Sequence, residues 1–317
     1  FEATQSLSIA EGLSFSPGLR VENNCQNCGF TQLRMNGLEG AYSQVLINSR
    51  PVFSALAGVY GLEMLPTGMV DRVEVVRGGG SVLYGGNAIA GTVNIITKDP
   101  VENSFELGIN QAFINGEASD RTININGSIV SEKLDKGITF FGFNRMRDPW
   151  DANGDDVSEI VKLENNTFGF DAFWNINERN KIKLGSYFIN EFRRGGSQFD
   201  LLPHQTDVTE QLDHAIVSTN ASFEHASKNF KHKLSIYGSM QAIDRDSYYG
   251  GGGSVLQEGD SLTAEDILAL NAYGKSNDIS MVGGAQYNYE MSKKLLFILG
   301  SEYIYNDVRD EMAGYNR

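Results

Sequence analysis

From Ser104 onward, apolar and polar residues alternate with a period of two, as expected for strands whose two faces meet different surroundings. In the stretch TININGSIV, Ile123, Ile125 and Ile129 share one face, and the residues between them are mostly polar. The same alternation recurs in TFGFDAFWNI, KLSIYGSMQA and KLLFILGSEYIY. The pattern predicts a mainly β protein with about nine antiparallel strands in residues 101–317.

The connections between these strands alternate between short and long. Four are short and polar, namely SEKLDKG, NERN, ASKN and MSKK, whereas NGEASD and residues 148–159, 195–213 and 247–278 are longer. Short turns at one end and long loops at the other are typical of outer-membrane barrels. A soluble antiparallel barrel or sandwich also alternates apolar and polar positions and is the alternative interpretation. The chain contains no run of 18 apolar residues, and transmembrane barrels do not need one.

Residues 1–100 have a different texture, with short β-like runs broken by glycine. The segment DRVEVVRGGGSVLYGGNAIAGTVNIITK, residues 71–98, has the glycine spacing of a phosphate-binding loop. However, Gly86 and Asn87 stand where such a loop needs Lys and Ser or Thr, and a β-rich run follows instead of a helix. The segment therefore predicts a strand, a glycine turn and a second strand, and it argues against nucleotide binding.

Composition limits the partners of this chain. Its 317 residues include 40 Asp and Glu against 26 Lys and Arg, a formal net charge of −14. No basic patch stands out, so we expect no nucleic-acid partner. The chain begins at Phe1 without a signal sequence, which leads us to expect that a preceding segment was removed.

A glycine-rich unit of about 100 residues ahead of a large barrel resembles the TonB-dependent outer-membrane transporters. The segment 71–98 is similar to the one that closes the plug domain of that family, with Gly79 where proline is usual. LRMNGLEGAYSQVLINSRPV resembles the central plug segment, and SIAEGLSFSPGLRVEN resembles the opening helix and its exit. The resemblance implies a plug domain, residues 1–100, inside a transmembrane barrel of 22 strands, of which residues 101–317 form the first, incomplete part.

The resemblance also implies roles for residues of the plug. Plug charges of this family pair with the inner barrel wall, which by position assigns that role to Arg34, Arg77 and Glu74. The alternative is that these are ordinary solvated ion pairs. Tight backbone turns between the plug strands are expected at five glycines, Gly78, Gly79, Gly80, Gly85 and Gly86.

Cys25 and Cys28 are the only cysteines of the chain. A C-x-x-C pair can be a disulfide, a redox pair or half of a metal site. Because the outer membrane and periplasm are oxidising, we expect a local disulfide, in a plug loop that by resemblance faces the substrate. Direct binding of a ligand by the two cysteines remains a second interpretation.

Two candidate sites lie in the predicted extracellular loops. In DPWDANGDDVSE, oxygen ligands at Asp151, Asn153, Asp155 and Asp156 suit Ca²⁺, and cobalamin transporters of the family bind calcium in the corresponding loop. A solvated acidic loop is the alternative.

The other candidate is PHQTDVTEQLDH, where a helix would bring four side chains together as ligands for a transition metal or haem: His204, Asp207, Glu210 and His214. An exposed polar helix end is the alternative. Arg193 and Arg194, just before this loop, are candidates for contact with an anionic substrate.

The resemblance implies active uptake of a scarce, bulky metal complex across the outer membrane of a Gram-negative bacterium, driven by the TonB protein. Cobalamin is the first expectation, and haem, a ferric siderophore or a metal ion are alternatives. A surface receptor that binds or signals without import is a further one. The expected partners also include outer-membrane lipids and a surface lipoprotein. No cofactor is required apart from Ca²⁺ in a loop, and no grouping of residues suggests an enzyme.

Overall fold

A computed structural model of the chain describes residues 6, 8–25, 27, 29–51, 67–80 and 88–312. Within these residues, the N-terminal unit has one short helix and six strands. These are α1 (Ile9–Ser14), β1 (Leu19–Cys25), β2 (Phe30–Met35), β3 (Ser43–Ile47), β4 (Arg50–Pro51), β5 (Val70–Arg77) and β6 (Gly91–Thr97). Two single-turn 3-10 helices, Gly40–Tyr42 and Thr67–Met69, precede β3 and β5.

The six strands form two small sheets. β1 and β2 make an antiparallel hairpin, and a second sheet has the order β4-β3-β6-β5. β6 is one of its two central strands, parallel to β3 and antiparallel to β5. Its sequence GTVNIIT is rich in β-branched residues and buried at almost every position, as expected for a strand covered on both faces. Beside these sheets, α1 begins with Ser8, whose hydroxyl accepts a hydrogen bond from the Glu11 N–H, and it buries Ile9, Ala10 and Leu13.

The remainder of the chain forms one antiparallel sheet of nine strands, each paired with the next in sequence. The predicted number of strands is confirmed within the described residues. The strands are β7 (Ser104–Ile114), β8 (Ala118–Val130), β9 (Lys136–Arg147), β10 (Lys162–Asn177), β11 (Asn180–Gly196), β12 (Thr209–Ala226), β13 (His232–Gly250), β14 (Tyr273–Ser292) and β15 (Leu295–Met312). β6 ends at Thr97 and β7 begins at Ser104, so the domain boundary predicted at residue 100 lies between them.

Large apolar side chains line the outer face of this sheet. Ile129, Phe168 and Val217 are exposed, whereas Phe141, Tyr187 and Ile216 point to the opposite face and are buried. The inner-facing group packs with the helix and strands of the N-terminal unit in one apolar core. The period of two in the sequence therefore separates an exposed apolar face from a face that contacts the N-terminal unit.

The connections follow the predicted alternation with one correction. Turns 131–135, 178–179, 227–231 and 293–294 lie at one end of the sheet, and loops 148–161, 197–208 and 251–272 lie at the other. NGEASD was predicted as a longer loop, but the strands extend into it and leave the turn 115–117, with Asn115 and Gly116 at positive φ. Loop 197–208 contains the 3-10 turn Pro203–Gln205, and loop 251–272 contains the helix α2 (Ala264–Leu270). Within the described ranges, no helix is long and apolar enough to span a bilayer.

Candidate functional site: the plug contacts and the long-loop end

The loop that follows β1 packs against the inner face of the nine-stranded sheet, near the long-loop end. This sheet, β7 to β15, is called the wall below. Cys25 is disulfide-bonded, and the other cysteine of the chain, Cys28, lies outside the described residues. The Cys25 Sγ lies 3.5 Å from a carboxylate oxygen of Glu210 on β12. Gly29 has φ +58°, and a Cβ at this position would lie 2.6 Å from a methyl group of Val161. The loop therefore approaches the wall so closely that only glycine fits at residue 29.

Arg193 fastens this loop to the wall. Its guanidinium donates to the carbonyl of Gly29 over 2.9 Å and binds the Glu191 carboxylate at 2.7 Å, and both side chains are almost fully buried. Arg194 donates to the carbonyl of Leu201 over 2.9 Å and lies over the Phe199 ring, so it holds the start of loop 197–208. The guanidinium groups of Arg193 and Arg194 therefore bind the protein itself, and their contact with an anionic substrate stays a prediction.

The predicted histidine site does not form. Residues 209–226 are a strand and not a helix, so consecutive side chains point to opposite faces. His214 is buried on the inner face with its Nδ1 3.8 Å from Glu191. His204 lies in loop 197–208, and its Nδ1 is 3.0 Å from the hydroxyl of Tyr273 at the start of β14. In the described part of the chain, no metal-ligating group includes His204, Asp207, Glu210 or His214.

The acidic loop does bring carboxylates together. Oxygen atoms of Asp151, Asp155 and Glu159 lie within 4.8 Å of one another, the single group of this kind among the described residues. Asn153 donates to Asp155 over 3.1 Å, beside the group. The carboxylate of Asp156 is not a member of the group, and this residue turns the backbone at φ +67°. Sequence reasoning missed Glu159, which the isolated bridge between Trp150 and Ile160 folds back onto the loop.

Backbone amides shape the same loop. The Asp151 carboxylate accepts hydrogen bonds from the N–H groups of Gly154 at 2.7 Å and of Asp156 at 2.8 Å. These bonds, above all the one from Gly154, lower the pKa of Asp151. Asp151 therefore stays ionised, and its negative charge remains available to a cation.

The predicted ion pairs between the plug and the wall require a correction. Arg34 binds Glu22 at 2.6 Å, Arg77 donates to the carbonyl of Pro17, and Glu74 binds Arg72 at 2.9 Å. All these partners belong to the N-terminal unit. Each of the three side chains finds its partner within the N-terminal unit, on the same strand, on the paired strand or in the turn after α1. These partners are closer to it than the wall is.

The contacts between the two units use other groups. Arg145 on β9 is buried, makes a bidentate pair with Asp120 at 2.7 and 3.0 Å, and lies 3.6 Å from Glu11 of α1. Asp99, just after β6, binds Lys181 at 3.1 Å and Lys183 at 2.9 Å on β11. The wall therefore supplies the cations, and the N-terminal unit and its linker supply the carboxylates.

The glycine turn after β5 is described in part. Gly78 has φ +91° and donates to the Ala90 carbonyl over 2.9 Å, and the Gly80 N–H donates to the Ala88 carbonyl over 2.8 Å. These bonds join the residues just after β5 to those just before β6. Gly79 has open space around it, and Gly85 and Gly86 lie outside the described residues.

Comparison with known proteins identifies the N-terminal unit. The family model described as "TonB-dependent Receptor Plug Domain" matches residues 1–92. Residues 1–92 are thus a plug domain of the TonB-dependent receptor type. Such receptors are proteins of the Gram-negative outer membrane, and this location applies to the chain as well. Its relatives are transporters and receptors and not enzymes.

Curated relatives include vitamin B12 transporters. The chain is 26% identical over 208 residues to BtuB of Photobacterium profundum, an alignment that covers 63% of this chain and 32% of the relative. It is 32% identical over 96 residues to BtuB of Vibrio vulnificus, covering 30% of this chain and 16% of that protein. The chain thus spans about a third or less of the length of these relatives.

Solved structures confirm the fold, a plug domain with part of the barrel. A variant of the ferric enterobactin receptor PfeA from Pseudomonas aeruginosa superposes with a TM-score of 0.71 at 15% identity, covering 97% of this chain and 50% of that one. The copper transporter OprC superposes with a TM-score of 0.66 at 12% identity, covering 96% and 52%. The nine-stranded sheet therefore corresponds to part of the barrel wall of these structures.

Proposed function

We propose that this receptor takes up cobalamin across the outer membrane, driven by TonB. The observation that carries the proposal is the 208-residue similarity to a vitamin B12 transporter, which is too long to be confined to the plug and extends into the barrel strands. In this mechanism, the ligand binds between the plug loops and the long-loop end. TonB pulls on the segment that precedes the plug, and the plug rearranges to open a path. No bond of the ligand is made or broken.

The docked loop is the part of the plug that would transmit binding. It touches the wall through Arg193 and Val161, close to the start of loop 197–208. A ligand that presses on this loop competes with a few identifiable contacts, chiefly the hydrogen bond from Arg193 to the Gly29 carbonyl. Binding energy can therefore shift the plug by weakening a small number of bonds.

Calcium is the second element of the proposal. Three carboxylates and a neighbouring amide are the hard oxygen ligands that Ca²⁺ takes in proteins. Asp151, Asp155 and Glu159, with Asn153 beside them, would hold the ion, which would fix loop 148–161 in one conformation before the ligand arrives. A pre-ordered loop loses less conformational entropy on binding, so calcium should increase ligand affinity.

The test is a cyanocobalamin titration of the full-length receptor in detergent, with calcium or with EDTA. Trp150 is adjacent to Asp151 and donates to Glu117 over 3.0 Å, so its fluorescence reports on this loop. The difference between the signals of the receptor and of its Trp150→Phe variant isolates the contribution of this residue. Tight binding that weakens in EDTA supports both parts of the proposal.

A matched pair of variants separates the metal site from general acidity. Asp151→Asn should abolish the calcium effect, whereas Asp156→Asn removes the same charge from an exposed side chain outside the group and should preserve it. Absence of cobalamin binding with and without calcium would contradict the proposal. A ferric siderophore, haem or a metal ion would then be titrated, and ligand binding without uptake would indicate a receptor that does not import.

A further inference from the structure

Charge is distributed unequally between the two ends of the barrel wall. The connections at the long-loop end, residues 115–117, 148–161, 197–208 and 251–272, contain twelve Asp and Glu residues and no Lys or Arg. The opposite turns, residues 131–135, 178–179, 227–231 and 293–294, contain six Lys and Arg and three Asp and Glu. The net charge of −14 is therefore concentrated where a ligand from outside arrives.

Basic residues on the strands next to these loops do not offset that charge toward a ligand. Arg193 and Arg145 form the buried pairs described above, with Glu191 and Asp120. Others bind at the strand ends: Lys162 to Glu164 at 3.0 Å, Lys275 to Asp246 at 3.9 Å, and Arg194 to the carbonyl of Leu201 at 2.9 Å. Carboxylates next to Arg193, Arg145, Lys162 and Lys275 reduce the field that these cations exert on an anion in the loops.

The acidic loops are also held in place. Asp266 of α2 is buried and accepts hydrogen bonds from the Thr263 hydroxyl and from the N–H groups of Ser254 and Thr263 at 2.6 to 2.8 Å. These bonds, first of all the one from Thr263, strongly lower the pKa of Asp266. Loop 251–272 is tied to loop 197–208 through the Gly253 N–H, which donates to the His204 carbonyl over 3.0 Å. The negative charges therefore occupy defined positions in the connections at the long-loop end, which together are called the acidic mouth.

We propose that this acidic mouth selects the cargo by charge, favouring neutral or cationic metal complexes and disfavouring polyanionic ferric chelates. The inference rests on the proposed uptake function but not on cobalamin as the cargo. A cleft lined by one sign of charge focuses its field and changes the association rate of charged ligands by about 10- to 1000-fold. Since the Debye length is about 8 Å at physiological ionic strength, the effect acts over the width of the loops and weakens as salt is added.

The experiment compares cobalamins that differ in charge. The probes are cyanocobalamin, which is neutral; the acid obtained by hydrolysing one of its amide side chains, an anion; and the amine obtained by coupling a diamine to that acid, a cation. Association with the full-length receptor is followed by stopped-flow fluorescence over a series of salt concentrations. We expect the cation to associate fastest and the anion slowest, about tenfold apart at low salt, with the three rates converging at high salt. Because a steric effect of the added groups is insensitive to salt, the salt dependence isolates charge.

Two triple variants locate the charge that acts. Asp200→Asn, Asp207→Asn and Glu258→Gln remove three exposed acids from the long loops, and Glu132→Gln, Glu178→Gln and Glu290→Gln remove three exposed acids at the opposite end. Both change the net charge equally. The first variant should reduce the ratio of the cation's association rate to the anion's several-fold. The second should change this ratio by no more than about twofold.

The outcomes distinguish this inference from the proposed function. If no cobalamin binds, the same measurement uses hydroxamate ferric complexes, ferrioxamine B as a cation and ferrichrome as a neutral complex, against a trianionic ferric tris-catecholate. The same ranking by charge would then support the inference while the cobalamin proposal fails. Faster or tighter binding of an anion in either series, or a charge ranking unaffected by salt, would overturn it.

Discussion

The contact between Arg193 and the plug makes a quantitative prediction. Arg193→Met keeps most of the side-chain volume but removes a guanidinium that is 1% exposed and that bonds both Glu191 and the Gly29 carbonyl. The carboxylate of Glu191, which is fully buried, then loses its closest cation, although Asn165 still donates to it at 3.3 Å. We expect the free energy of unfolding to fall by about 3–5 kcal/mol, the usual cost of breaking a buried ion pair from one side.

Replacing both partners separates the two contributions. In Arg193→Met with Glu191→Leu, no buried charge remains, so the cost of the uncompensated carboxylate is removed. The hydrogen bond to Gly29 is still absent, and a bond from a charged donor contributes about 1.5–3 kcal/mol. The double variant should therefore be more stable than Arg193→Met but remain below the wild type by roughly that amount.

The assay is urea unfolding of the full-length receptor in phospholipid vesicles, followed by tryptophan fluorescence, with proteolysis of the plug as a second readout. Arg121→Met is the matched control, because Arg121 lies on the outer face of β8 and contacts the Met146 sulfur. It should change stability by no more than about 0.5 kcal/mol. A loss below about 1 kcal/mol for Arg193→Met, or a double variant less stable than the single one, would refute the reasoning.

Two further predictions concern the plug. Gly91→Ala should destabilise the plug by about 1–3 kcal/mol, because Gly91 has φ +149° and a Cβ would meet the Val76 carbonyl. Gly79→Ala is the control and should be tolerated, since the space around Gly79 is open. The urea midpoint of each variant measures the change in stability. Burial alone would raise the pKa of Asp99, but Lys183 and Lys181 outweigh it, so the pKa is lowered. Asp99 therefore stabilises the fold above its unfolded pKa of about 4, and this contribution is lost as the pH falls through the lower folded value. Asp99→Asn should be less stable near neutral pH and lose less stability on acidification, as measured by urea midpoints over that range.

The strands could be predicted from the sequence because one face of the sheet is exposed and apolar while the other packs against the N-terminal unit, which gives each strand a period of two. The same pattern misplaced strand ends. Leu212, His214 and Ile216 are buried at alternate positions, which is the pattern of a strand. β12 therefore begins at Thr209, inside the segment for which a helix was predicted. The alternation was obscured because polar side chains also face the inner wall, where His214 lies.

The ion pairs were predictable only when both partners lie on one strand. Residues two apart on a strand share a face, so the pair of Glu191 and Arg193 can be predicted from their spacing in the sequence. The pair of Arg145 and Asp120 joins two strands, and the register between them is not written in either segment alone. Pairs of plug residues with the wall are harder still, because they depend on how two separately folded units meet.

The parallel pairing of β3 with β6 has a consequence for the order in which the receptor assembles. Residues 43–47 find their central partner only when residues 91–97 have been added, almost fifty residues later and directly before the barrel begins. The first half of the plug therefore cannot complete its larger sheet alone, and β4 and β5 are attached only through β3 and β6. The larger sheet of the plug can therefore be completed only when its last strand is present, and this strand directly precedes the first strand of the wall.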